Sequence, residues 1–527
     1  MTARDKRVGN SGVSLEDALK RMSMSREARW ALAGRSQQLP RDEWHSFDRT
    51  PWNHPWMTTG NIRRFAEYSR GEIERLSHLV GAEPSGAGRF AFVGNMANVN
   101  YTRAAPLRRR GMNVDLVLHP NDDFIFAQPG WEDFDGDISE LGEAPSATLA
   151  DRGLPPWVVR CPLDSNWVEN IDRYDAVTPE QVLMWPEYMP LLPTLNALSK
   201  YDALLVSQFS YLGLLSGRPY LFGQIGGEIW FEAARNDAIG LITRRGIEQA
   251  YAVLVSNPLT LAHARRYGLR NLLYVPWSLD EEIYQPADAE PTRSAWQRSV
   301  GGDFFVLTSM RIDNEWKGAN HALDGFAKFA ASHPGARLIV AGWGEDLEAA
   351  KAELERRNIA DRVLAVPIAG KRKLVKYLQA ADVVIEQFVL GYYGGSGLEA
   401  MACGTPVIMR LEREQYDAMI EAGAPPTLDA QDADGVAQNL QRLYTDKPFA
   451  TGVGKQTRDW FMRAQSSARW ANVYDVLLRA MALGIPLSTE NSPLLEPLSS
   501  AENDYHSSQL RLAPAFPNYT GPSAAAV

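Results

Sequence analysis

The fold class predicted by this 527-residue sequence is α/β: two doubly wound domains in series, joined by a polar linker. Three observations predict it. Short apolar runs alternate with amphipathic helical stretches from Arg89 onward and again from Phe304 onward, the pattern of parallel sheets covered by helices. The segment between them, PADAEPTRSAWQRSVGGD (286–303), is polar and carries prolines, as a domain boundary does. The length also exceeds what one hydrophobic core usually serves and suits two or three domains.

Composition narrows the class further. With 45% hydrophobic and 22% charged residues the chain is globular, not disordered, collagen-like or disulfide-stapled. Its 2 cysteines, Cys161 and Cys403, lie far apart with no pairing pattern, which points to a reducing, cytoplasmic setting. A net charge of −10 argues against duplex nucleic acid as the main partner. No apolar run is long enough for a membrane span, and the charged N-terminus lacks the apolar stretch of a signal peptide. The 15 tryptophans stand out, and many precede residue 231.

The elements follow in order. Residues 1–84 read as a helical extension interrupted by RTPWNHPWMTTGN. Ser14 heads a first helix containing Ala18, Leu19 and Met22. A second runs from Asn61 to Val80 with Ile62, Phe65, Ile73, Leu76 and Leu79 as its apolar stripe. Residues 85–290 form the first α/β domain, with strands in FAFVGN, MNVDLVLHP, YDALLVSQF, RPYLFGQI, YAVLVSN and NLLYVPW. Within it, 120–190 is rich in Pro, Trp and acids and reads as an insertion over one end of the sheet. Residues 291–463 form the second domain, with strands in FFVLTS, ARLIVAGWG, VLAVPI, VVIEQF and PVIM. A closing helix is expected over 464–484, and 485–527 has the composition of a disordered tail.

Open parallel sheets bind ligands beyond the carboxyl ends of their strands, so candidate residues are sought there. After FFVLTS, Arg311 and Lys317 bracket a short loop before a helix, where two cations can clamp a diphosphate. After ARLIVA, Gly342 and Gly344 allow a ligand close to the backbone. After VVIEQF, the run Gly394, Gly395, Ser396, Gly397, Leu398, Glu399 opens a helix. It can cradle an anion, with Glu399 accepting from ribose hydroxyls, or it can be a capping box in which Glu399 folds back. On the first domain, Gly94, Asn95 and Asn98 lie at the first strand tip and His119 at the end of the second. They either face an acceptor or make a turn. Asp133, Asp135 and Asp137 imitate a metal-binding Asp-x-Asp but follow no strand, and the histidines have no ligand spacing, so no metal is expected. No Gly-x-Gly-x-x-Gly follows either first strand, which disfavours a nicotinamide enzyme.

The segments RIDNEWKGANHALDGFAKFAASHPGARLIVAGWG, DRVLAVPI, AADVVI and GLEAMACGTPVI resemble, in order and spacing, the carboxyl domain of group 1 (family 4) retaining glycosyltransferases. More loosely, AYAVLVSNPLTLAHARRYG and Pro276-Trp277-Ser278-Leu279-Asp280 resemble that family's approach to its linker. The resemblance implies a GT-B fold, two Rossmann-like domains facing a cleft. It also implies a UDP- or GDP-linked nucleotide-sugar as substrate, no separate cofactor, and retention of configuration without a metal. Arg311 and Lys317 would assist departure of the diphosphate, and the acceptor would be a glycan or a lipid-linked sugar. Two departures touch the sugar side: Gly391 stands where the family has the first Glu of its Glu-x7-Glu, and Gln224–Glu228 contains no histidine. An impaired GT-B protein acting as a nucleotide-binding partner, or a phosphorylase or epimerase on the same fold, are the alternatives. Similar enzymes use lipid-linked acceptors, and the basic helix of Arg103, Arg108, Arg109 and Arg110 offers a peripheral contact with anionic lipid at the inner membrane surface. Trp316 and Trp343 fall in the donor loops and could stack on a base or sugar. Trp52, Trp56, Trp131, Trp157, Trp167 and Trp185 lie outside the resemblance, where they line an acceptor groove or pack the extra segments.

Overall fold

The apolar runs become strands of two wholly parallel sheets in a computed structural model that describes residues 7–25, 28–29, 32, 51–81, 88–122, 124–235 and 238–512. The first sheet holds β1 (Phe90–Val93), β2 (Val114–Leu118), β3 (Val158–Arg160), β4 (Ala203–Ser207), β5 (Tyr220–Gly223), β6 (Ala252–Val255) and β7 (Leu272–Tyr274). Their order is β3-β2-β1-β4-β5-β6-β7. The second holds β8 (Phe304–Thr308), β9 (Ala336–Ala341), β10 (Val363–Val366), β11 (Val383–Ile385), β12 (Val407–Met409) and β13 (Leu428–Asp429), in the order β10-β9-β8-β11-β12-β13. Strands such as β1, β4 and β8 are buried at every residue, which is why they read as unbroken apolar runs: helices cover both faces. Each sheet reverses its winding beside its first strand, between β1 and β4 and between β8 and β11, and a crevice opens there.

The extension is part of the first domain's packing. Thr58 caps the helix Thr59–Val80, whose buried face is Ile62, Phe65, Ala66, Ser69, Leu76 and Val80, while Leu79 points to solvent. Ser69 Oγ accepts from the Tyr274 amide at 3.1 Å, so this helix covers the β7 edge that would otherwise be open to another strand. The helix Ser467–Ala482 returns from the second domain to pack against Thr59–Val80 and β4. The two crossings between domains run side by side: the Leu279 amide donates to Gln465 O at 3.1 Å and the Ser467 amide to Leu279 O at 2.8 Å.

Four expectations need correction. The polar linker contains a helix, Glu290–Val300, because Pro291 sits in its first turn, where a missing N–H costs nothing. The closing helix, Ser467–Ala482, lies within the expected 464–484 and is capped by Ser466, but a further long helix, Lys447–Ala464, precedes it at the end of the second domain, where none is expected. Strands β3 and β13 join the sheet edges unannounced. The region expected to be a disordered tail is docked as far as it is described. Tyr251 Oη donates to Ile485 O at 2.9 Å, Tyr68 Oη to Ser488 O at 2.9 Å, and the Ser488 amide to Glu72 Oε1 at 2.7 Å. Arg265 then anchors the helix Ser500–Leu512 through both oxygens of Glu502, at 3.0 and 3.1 Å. Residues 513–527 lie outside the described residues.

Candidate active site in the interdomain cleft

The two crevices open on one cavity of about 420 Å³. The second domain walls it with Ser309 after β8, Trp343 after β9, Ile368, Ala369 and Lys371 after β10, and Gly394, Gly395, Ser396, Leu398 and Glu399 after β11. The first domain contributes Met96, Ala97 and Arg103 after β1, Phe126 and Trp131 from the insertion, Gln224 after β5 and Asn257 after β6. Of the predicted donor residues, Gly394, Gly395, Ser396, Leu398 and Glu399 lie on this wall.

Lys317 and Arg311 sit just behind it. The loop between them is held by Asp313, which pairs with Arg311 at 2.6 Å and accepts the Trp316 amide at 2.9 Å. Lys317 lies against the start of the helix Gly395–Ala402: a Cβ on its N-cap, Gly394, would be 3.6 Å from the ammonium. The same ammonium is 3.6 Å from Glu386, a fully buried carboxylate that also accepts from Ser396 Oγ at 3.0 Å. Glu386, at the end of β11, thus stands directly beneath the site with no rearrangement of the loop that follows it. Lysine, helix N-terminus and the nearby guanidinium thus stand together at this end of the cleft, each cation with a carboxylate partner, Glu386 and Asp313.

The glycines have specific neighbours. A Cβ on Gly395 would come within 2.7 Å of the Trp277 ring, so this tryptophan, three residues past β7, packs on the helix start only because that position is bare. Gly344, at φ +126°, approaches the Ile312 backbone, tying the β9 loop to the Arg311 loop; neither Gly342, Gly344 nor Gly397 reaches the cavity wall. Gly391 has φ +70°, and a Cβ there would meet Glu412 Cγ at 2.8 Å and Trp52 Nε1 at 3.1 Å. Trp52 reaches this loop from the extension and donates to Leu390 O at 3.0 Å. The place of the resembled family's first glutamate is thus filled by a tryptophan on one side and an acid on the other.

Glu399 does not fold back as a capping box. It is 2% exposed and pairs with Lys371, whose ammonium also lies 4.8 Å from the centre of the Trp131 ring. Behind them Glu132 accepts from Tyr284 Oη at 3.2 Å. Burial pushes Glu132 up to about 7, with Lys371 opposing the rise, Glu399 adding to it, the Tyr284 bond opposing and Asp133 adding. Its folded value thus exceeds its unfolded one of 4.5, so folding takes up a proton between these values. Stability falls as pH rises from about 4.5 to about 7 and levels off above. Glu132→Gln should remove this slope and raise the unfolding free energy at pH 8 by an amount on the order of 1–3 kcal/mol. Thermal unfolding of both proteins between pH 5 and 8 measures it; parallel curves would refute it.

The four first-domain candidates are internal. Asn95 Nδ2 donates to Asn98 Oδ1 and to Ala127 O, both at 2.7 Å, and Asn98 Nδ2 donates to Gln128 O at 2.8 Å. Gly94, at φ +81°, packs on Ser207 O. His119 is 2% exposed with its ring centre 4.3 Å from that of Phe209, and burial lowers it to about 3. They shape the loop that presents Met96 and Ala97 to the cleft, and the loop's wall-forming residues carry no sequence signal. The basic helix is likewise engaged: Arg103 is buried, Arg108 pairs with Asp115, Arg109 with Asp280 and Arg110 with Glu281. These pairings offset part of the helix's charge, while the Arg109 and Arg110 side chains stay 45% and 37% exposed. No helix among the described residues is long and apolar enough to cross a membrane. Trp157 stacks on Tyr101 at 5.4 Å, and Trp56, Trp167 and Trp185 are core. Trp316 contacts Phe231, whereas Trp131, Trp230, Trp277 and Trp343 line the cavity.

Two doubly wound domains whose switch points share one cavity, with the last large helix returning to the first domain, define the GT-B class. Residues 292–460 match the family model described as glycosyl transferases group 1, so the second domain carries that family's signature. Among curated relatives, D-inositol 3-phosphate glycosyltransferase of Acidothermus cellulolyticus is 30% identical over 186 residues, covering 31% of this chain and 40% of the relative. Mannosylfructose-phosphate synthase of Agrobacterium fabrum is 22% identical over 222 residues, covering 40% and 48%. The chain spans less than half the length of the curated relatives it matches. Among solved structures, Anabaena HepE in complex with UDP and glucose superposes with a TM-score of 0.53 at 12% identity, covering 76% of this chain and 100% of HepE. The N-terminal domain of Candida albicans trehalose-6-phosphate phosphatase gives 0.52 at 14%, covering 76% and 98%. At such identities the likeness is one of fold.

Proposed function

We propose that this chain is a glycosyltransferase that moves a sugar from a nucleotide-sugar, UDP- or GDP-linked, to a hydroxyl of a glycan or lipid-linked acceptor. The observation that carries the reading is the Lys317 ammonium set at the N-terminus of the helix Gly395–Ala402, beside the Arg311 loop. Negative charge grows on the diphosphate as the bond from the anomeric carbon to phosphate oxygen breaks. Fixed cations and helix amides stabilise it most at that moment. HepE, of the same fold, was solved with UDP and glucose and with UDP-glucose, which supports a nucleotide-sugar donor here. The acceptor oxygen forms the new bond on the face the diphosphate leaves, its proton passing to the departing phosphate oxygen, so configuration is retained. With Lys317, Arg311 and the helix start balancing the charge, the reaction runs without a divalent ion.

The test is turnover of a panel of UDP- and GDP-sugars by the purified protein with and without EDTA, the product's anomeric configuration being read by NMR. Transfer with retention, undiminished by EDTA, is the expected result. Inversion or EDTA-sensitive turnover would overturn the mechanism, and absence of both turnover and nucleotide binding would overturn the function.

A further inference from the structure

The insertion does more than cover the sheet. Its segment 125–141 crosses the cleft and is fastened to the second domain where the chain leaves β10. The Ile138 amide donates to Ile368 O at 2.8 Å, the Gly370 amide to Gly136 O at 2.9 Å and the Arg372 amide to Phe134 O at 3.2 Å. Gly370 must be bare, since a Cβ would stand 2.2 Å from Phe134 O. The acidic run WEDFDGD then meets the helix Lys371–Ala380 residue for residue: Asp133 with Arg372, Asp137 with Lys373 and Asp135 with Lys376. The carboxylates that imitate a metal motif are answered by cations of the other domain. A small separate core of Ile125, Trp131, Phe134, Ile138, Leu141 and Leu149, against which Ile368 packs, stiffens the segment.

This strap carries two aromatic rings onto the cavity wall. Trp131 Nε1 donates to Ala369 O at 3.1 Å, and Phe126 lies 4.7 Å from Trp131 and 5.4 Å from Trp343, ring centre to ring centre. Beside them is the Lys371–Glu399 pair. Three aromatic rings next to a carboxylate and an ammonium suit a flat heteroaromatic base joined to a polyhydroxylated ring, and the phosphate-binding end begins at Gly394. Resting on the proposed donor, we infer that Phe126 and Trp131, residues of the first domain, complete the nucleoside subsite. The strap's ion pairs hold them there, so recognition of the base needs both domains.

The test uses UDP, GDP and inorganic pyrophosphate as probes, titrated calorimetrically into the full chain. Trp131→Ala should weaken the preferred nucleoside diphosphate at least ten-fold and leave pyrophosphate within two-fold; Trp131→Phe should recover most of the loss, which guards against misfolding. The triple reversal R372E/K373E/K376E should weaken the nucleotide in the same selective way. Adding D133K/D135K/D137K should restore it. Equal nucleotide affinity in wild type and Trp131→Ala, or parallel loss of pyrophosphate, would overturn the inference while leaving the donor reading intact. Failure of wild type to bind either nucleotide would overturn both.

Discussion

Lys317→Ala protein is expected to transfer sugar roughly 10²–10³-fold more slowly than wild type, the usual scale when one preorganised group is removed from a developing charge. The ammonium has two neighbours that pull the experiment in different directions. Toward the cavity it faces the helix start at Gly394, and away from it the fully buried Glu386, 3.6 Å distant. Removing the lysine therefore also strips a buried carboxylate of its only cationic partner within ion-pair distance among the described residues, and this destabilises the fold. The two effects separate in Lys317→Ala/Glu386→Gln, where the carboxylate becomes neutral and Ser396 retains an acceptor. The double variant should regain most of the lost stability and none of the rate. Arg311→Ala should show a rate loss of similar order together with a loss of stability, softened because its buried partner Asp313 keeps the Trp316 amide. Initial rates beside unfolding midpoints decide the matter. If rate returns together with stability, Lys317 is a structural cation and the electrostatic role is wrong.

What the sequence shows of this site, and what it hides, follows from how local each interaction is. The second domain was legible because its strands are buried on both faces and its donor loops follow them at once, so apolar run and glycine turn are adjacent in the chain. The strap was hidden although every charge in it was visible. Asp133, Asp135 and Asp137 alternate while Arg372, Lys373 and Lys376 follow a helix, and nothing in either spacing announces that residues some 240 positions apart meet. Gly391 could be read only as a missing glutamate; that Trp52 occupies the space required the fold of the extension. Asn95 and His119 illustrate the opposite error. A polar residue at a strand tip is as readily used to satisfy loop amides and carbonyls as to meet a ligand, and here Asn95 bonds internally, while His119 is buried and its ring, among the described residues, accepts the Asn121 amide at Nδ1 alone.

Average composition marks the docked carboxyl segment as disordered, and the average misses a few strong anchors. Ile485 to Ser488 follow the helix Thr59–Val80, and Pro493 and Leu494 bury apolar surface. The extension, the returning helix Ser467–Ala482 and this segment thus form one layer on the first domain, and the extension also reaches the donor loop through Trp52. The parts outside the family resemblance therefore brace the cleft at two places, the strap at the nucleoside end and the extension behind Gly391.

Arg265→Ala should cost this layer about 3–5 kcal/mol, the range for removing one partner of a buried ion pair. The two side chains are 2% and 5% exposed. Arg265 also donates to Leu494 O at 2.8 Å, Glu496 O at 2.7 Å and Pro497 O at 3.5 Å, so five acceptor atoms lose their cation, Glu502 counting for two. Glu502 retains the Ser499 amide and hydroxyl, which soften the loss without replacing a charge. The segment is held as one unit, so the cost is capped by its own docking free energy: once that is exhausted, residues 485–506 detach and further loss stops. Amide exchange across these residues should accelerate uniformly in Arg265→Ala, whereas the β8–β12 amides stay protected. Replacing both partners, as R265M/E502L, should recover much of the protection because no charge is then buried alone. Exchange unchanged in Arg265→Ala would mean that the apolar anchors and the bonds to Glu72, Tyr68 and Tyr251 suffice to hold the segment, and that the buried pair specifies its register without stabilising it.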